Sequence, residues 1–78
     1  MYIVSVSDSR GLTYTISDKY QRVTLFSSIE EAMHYISAVF KDVKWSKNSP
    51  PMGNIVTDTT VTLFNIEQCF PFTPSESN

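Results

Sequence analysis

One stretch of the chain repeats its apolar residues at helical spacing, and the segments on either side of it do not. Ile29, Ala32, Met33, Ile36, Val39, Phe40 and Val43 recur three and four positions apart, which draws one apolar stripe along a helix expected over residues 28–43. Ser27 and Ser28 each precede a glutamate by three positions, Glu30 and Glu31 respectively. That is the pattern of a capped helix start, with both carboxylates beside the positive end of the dipole. A lone helix with an apolar stripe must be covered, so the flanking segments have to supply a sheet face for it.

Those segments read as strands. Residues 2–7, Tyr-Ile-Val-Ser-Val-Ser, partly alternate apolar with small polar side chains, and Asp8-Ser9-Arg10-Gly11 then supplies a turn, with Gly11 free to take positive φ. Residues 12–17 place Leu12, Tyr14 and Ile16 on one side and Thr13, Thr15 and Ser17 on the other. A polar connection over 18–21 leads to a short third strand over 22–26. Beyond the helix, residues 46–54 form a loop stiffened by Pro50-Pro51 and released by Gly53. Residues 55–57 and 60–66 are rich in Val, Thr, Ile and Phe and form two strand segments broken at Asp58. The expected order is β-β-β-α-β-(β): an α+β domain over residues 1–70 whose four- or five-stranded antiparallel or mixed sheet carries the helix on one face. Pro71, Pro74 and a polar ending make residues 71–78 an expected flexible tail.

At 78 residues the chain has material for a single, thin core, since a domain of this size removes only about 60% of its unfolded surface from water. Five Phe, four Tyr and one Trp nevertheless suit a folded chain rather than a disordered one. Cys69 is the only cysteine and has no intramolecular partner, so the small core has no disulfide to supplement it and a reducing, cytoplasmic setting is expected. No apolar run is long enough for a membrane span, and the first ten residues lack the basic leader and apolar core of a signal peptide. The net charge of −2 provides no global positive field of the kind that draws a protein onto nucleic acid.

The reactive side chains are few. His34 follows Glu30 by one helical turn, but it is the only histidine, and a zinc site needs three or four converging ligands. Cys69 lies among Phe64, Ile66, Phe70 and Phe72 and reads as a small thiol at the margin of the core rather than a nucleophile activated by His34. Asp58-Thr59-Thr60 lacks the glycine and the second copy that an aspartic-protease pair requires, and reads as a turn. With only Gly11 and Gly53 there is no glycine-rich phosphate loop. The expectation is a protein that is not an enzyme and uses neither cofactor nor metal.

Binding is the better reading. Trp45, Pro50, Pro51 and Met52 in the long loop, and Phe70 and Phe72 in the tail, are more apolar than irregular segments usually are. The expected contact residues for a larger protein partner are Trp45, Lys47, Pro51, Met52, Phe70 and Phe72, with Tyr20 and Arg22. A Thr-rich sheet edge near 57–62 offers a route to a homodimer. The alternative is nucleic-acid binding by Lys41, Lys44 and Lys47 around a stacking Trp45. Residues 22–36, a short strand ending in Phe that runs into a capped helix, resemble an element common in small phage-encoded α+β proteins. Small, acidic, single-domain chains without an enzyme motif resemble, as a class, phage inhibitors of host machinery such as anti-CRISPR proteins. That resemblance implies action by occupying a partner surface in a host cytoplasm.

Overall fold

Val4 and Val6 stand opposite Ile66 and Phe64 on adjacent antiparallel strands, and these four side chains form the centre of the core. The computed structural model describes residues 1–69. It contains strands β1 (Tyr2–Asp8), β2 (Thr13–Thr15), β3 (Lys44–Trp45), β4 (Met52–Val56) and β5 (Val61–Gln68), and one helix, α1 (Ile29–Val39). The strands form one sheet in the order β2-β1-β5-β4-β3, with every neighbouring pair antiparallel. The α+β class and the single helix on a five-stranded sheet therefore stand as expected. Residues 71–78, together with Phe70, lie outside the described residues.

The helix begins where capping chemistry places it. Ser28 is the N-cap, and its Oγ accepts the Glu31 amide at 3.0 Å. The Glu31 carboxylate reaches one residue beyond the usual capping box and accepts from both the amide and the hydroxyl of Ser27. Ala32 and Ile36 are fully buried against the sheet, and Phe40 packs tilted on Phe64 with ring centroids 5.0 Å apart.

Several boundaries differ from the sequence reading: β2 is confined to Thr13–Thr15, with Leu12 57% and Tyr14 43% exposed, and β4 starts at Met52, inside the loop expected over 46–54. The helix stops at Val39 instead of 43: Phe40 turns to extended backbone, and Asp42 takes a left-handed φ of 63°. Phe40 and Val43 still pack against the core, so their helical spacing continues while the chain has already turned back toward the sheet. Val39, assigned to the buried stripe, stands 55% exposed in the last turn.

The third strand is replaced by two isolated bridges, Ser17↔Val23 and Tyr2↔Phe26. The chain leaves β2 after Thr15, reverses over residues 18–22, and returns to β1 only at Phe26. Residues 22–24 bond to 16–18 and Phe26 bonds to Tyr2, so the partner changes within the segment and no continuous ladder forms among the described residues.

Lys44 and Trp45, read as helix end and loop, instead form a short edge strand against Asn54 and Gly53. The order is thus β-β-α-β-β-β. The loop they close is pinned at Ser46, whose amide donates to the Met52 carbonyl at 2.9 Å and whose hydroxyl accepts from the Met52 amide at 2.9 Å.

The turns lie where the sequence puts them. Asp8 Oδ1 accepts the amides of Arg10 and Leu12, and Gly11 sits at φ 95°. The chain also breaks at Asp58, but the group bracing that turn is the Thr57 hydroxyl, which accepts the amides of Thr59 and Thr60. Among the described residues no helix is long and apolar enough to cross a membrane.

Candidate protein-binding face

Strand alternation gives the sheet two unlike faces. On the side of α1 lie Val4, Val6, Phe64, Ile66 and Gly53, all buried. The register then assigns Ile3, Ser5 and Ser7 of β1, Val61, Leu63, Asn65 and Glu67 of β5, Met52, Asn54 and Val56 of β4, and Lys44 of β3 to the other side. Thr13 and Thr15 of β2 pair with Ser7 and Ser5 and join that side. No helix among the described residues covers it.

This uncovered face has an apolar side and a hydroxyl side. Val56 and Val61 face each other across β4 and β5 and are 68% and 38% exposed. Leu63, Met52 and Ile3 are half-buried beside their neighbours in the sheet. Toward β2 the face turns to Ser and Thr. Among the described residues Lys44 and Glu67 are its only charged strand positions, so most of its area can be desolvated without stranding a charge. Apolar residues in loops give no hint of this face, which is set by register between strands. Its trace was present in residues 61–66, Val-Thr-Leu-Phe-Asn-Ile, where apolar residues occupy both alternating sets.

Two of the expected contact residues lie elsewhere on an ordered tip. Residues 18–22 repeat the Asp8 turn: Asp18 Oδ1 accepts the amides of Tyr20 at 2.8 Å and Arg22 at 3.0 Å, and the left-handed position is filled by Gln21 at φ 64°. Tyr20 is 65% exposed. Lys19 Nζ lies 5.2 Å and Arg22 Cζ 5.0 Å from its ring centroid. Arg22 Nε also donates to Asp18 Oδ2 at 3.3 Å.

The remaining residues divide. Met52 belongs to the uncovered face, Pro51 is half-buried just before it, and Lys47 is exposed in the loop. Trp45 is half-buried on the helix side: its ring lies against Gly53, and its Nε1 donates to Ser37 Oγ of α1 at 2.9 Å. Lys44, one residue earlier, points to the opposite face, so the structure separates the aromatic from a lysine meant to work beside it. Phe70 and Phe72 lie outside the described residues. Residues 57–62 supply no free edge at Val61 and Thr62, which belong to the central strand β5. Thr62 is paired on both sides, and the open edges fall to β2 and β3.

His34 and Glu30 are both exposed on the helix, and Cys69 is half-buried, its amide donating to the Met1 carbonyl. Among the described residues no three His, Cys, Asp or Glu side chains gather as a metal site would require. The Glu31 carboxylate is held below the ordinary glutamate value first by the Ser27 hydroxyl and then by the Ser27 amide, against a smaller opposing desolvation. It belongs to the helix cap. No family model matches the chain, no curated protein matches it, and no solved structure matches it.

Proposed function

We propose that this chain is a non-enzymatic binding protein that docks onto a larger protein partner through the uncovered face of its sheet and thereby occupies a surface the partner needs. The observation carrying this reading is the asymmetry of the sheet. One side buries its apolar residues under α1, while the other keeps Val56, Val61, Leu63 and Met52 together with no covering layer among the described residues. Val56, Val61 and Leu63 form an apolar corner of this face, and the residues beside it, Asn54, Asn65 and the Ser and Thr of β1 and β2, are uncharged, a composition that suits burial against a partner. Inhibition of a larger assembly is the mode of action suited to so small a chain with this surface.

The test pairs capture with a variant of the face. Wild-type protein and Val61→Glu are used as baits in the native cell extract, with thermal unfolding of both measured in parallel. A partner retained by the wild type and lost by an equally stable Val61→Glu supports the reading. Equal retention by both refutes it, and a concentration-dependent dimer that Val61→Glu dissolves reassigns the face to self-association.

A further inference from the structure

The tip at residues 18–22 is built from side chains a simple chain reversal does not need. The turn at Asp8 performs the same reversal with Gly11 in the left-handed position, whereas the second turn holds Gln21 there at φ 64° and surrounds it with Lys19, Tyr20 and Arg22. Asp18 is fully engaged: Oδ1 takes two backbone amides and Oδ2 takes Arg22 Nε. Its carboxylate, though 38% exposed, is thus committed to three hydrogen bonds within the turn. A partner approaching the tip meets the Lys19 ammonium, the terminal guanidinium nitrogens of Arg22 and the Tyr20 phenol, all able to donate, with both cations about 5 Å from the ring centroid. Tyr and Arg are the side chains that most often dominate contact energetics at interfaces.

We infer that this tip recognises a carboxylate-bearing strip on a protein partner, with Arg22 and Lys19 pairing with acidic side chains and Tyr20 packed between them and the partner surface. Two observations favour an acidic protein over a nucleic acid. Both cations already lie about 5 Å from the Tyr20 ring centroid, so a base seeking that ring competes with them. The segment also continues directly into Val23 and Leu25, each 47% exposed, an aliphatic surface that suits a protein groove beside the acidic strip and offers a phosphodiester backbone nothing.

The inference deepens the protein-binding reading and rests on it, but its test is separate. The probes are a synthetic peptide alternating Glu and Leu, the same peptide with Gln for Glu, and a single-stranded oligonucleotide of equal charge, each titrated into 15N-labelled full-length protein. The acidic peptide is expected to shift the amide resonances of Lys19, Tyr20, Arg22 and Val23, and its affinity to fall several-fold between about 50 and 300 mM salt as surface charge is screened. Arg22→Gln and Tyr20→Ala each weaken it about tenfold with unchanged unfolding temperature, and Val61→Glu leaves it unchanged. No shift with the acidic peptide, equal binding of the Gln peptide, or tighter binding of the oligonucleotide overturns the inference. Failure here with partner capture still lost in Val61→Glu rejects the tip alone; the reverse pattern rejects the sheet face.

Discussion

Trp45 lies flat enough over Gly53 that a β-carbon at residue 53 would sit 2.9 Å from Cζ3 and 3.0 Å from Cη2 of the indole. The two residues are direct partners across β3 and β4, and the missing side chain of one is the seat for the ring of the other. With Nε1 bound to Ser37, the indole ties the shortest strand to the helix. Gly53→Ala should push the ring or the strand aside and destabilise the protein by about 1–3 kcal/mol, as overpacking does. Urea unfolding followed by Trp45 fluorescence measures this, and an unchanged midpoint would mean that the ring swings freely.

Neighbouring residues on β5 should respond very differently to truncation. Phe64 is fully buried beneath α1, and Phe64→Ala should cost about 3–5 kcal/mol by opening a cavity. Leu63→Ser, one position earlier on the uncovered face, should cost no more than about 1 kcal/mol. Chemical denaturation of both variants checks the face assignment, because a register slip of one residue would exchange the two results.

Gln21 holds a left-handed backbone that glycine adopts without strain. Gln21→Gly should therefore stabilise the turn by about 0.5–1 kcal/mol, which in a domain of this size raises the unfolding temperature by a few degrees. Gly11→Ala should do the opposite by a similar amount, since Gly11 has a φ of 95°. Parallel calorimetric scans compare the two turns directly.

The Glu31 cap makes stability depend on pH in a defined direction. Because Ser27 lowers the folded pKa of Glu31, the stabilisation is complete above the unfolded value of about 4.3 and is lost as pH falls through the lower folded value. Wild type should exceed Glu31→Gln in stability at pH 7, and the gap should narrow below about pH 4. Denaturation midpoints between pH 7 and 3 measure it, with Ser27→Ala expected to remove most of the pH-dependent part.

The nucleic-acid alternative is tested by the same indole. A ring seated on Gly53 and bonded to Ser37, on the face opposite Lys44, is poorly placed for a base, so single-stranded oligonucleotide at low salt should leave Trp45 fluorescence unchanged. Saturable quenching that salt reverses would restore Lys41, Lys44 and Lys47 as an interface.

What could be read from residues alone was what residues decide locally. Ser28 and Glu31 close the helix start through a bond three positions apart, Asp8 with Gly11 makes its turn within five residues, and the alternation over 12–17 and the β-forming composition of 60–66 are local properties. The helix end was misread because Phe40 and Val43 are apolar for the sake of a distant strand, a reason that hydropathy cannot separate from helical periodicity. The same blindness hid β3, whose two residues are a strand only because Asn54 and Gly53 lie beside them.

The sequence by itself determined that this chain carries one capped amphipathic helix, turns at Asp8 and Asp58, and strand-forming segments on both sides of the helix, since each depends on hydrogen bonds and periodicities spanning a few residues. Only the tertiary structure decided which side of the sheet the helix covers, that Trp45 turns inward onto Gly53, and that Val56, Val61 and Leu63 face outward together. Those outcomes depend on register between strands far apart in the chain, where shifting the pairing by one residue exchanges buried for exposed.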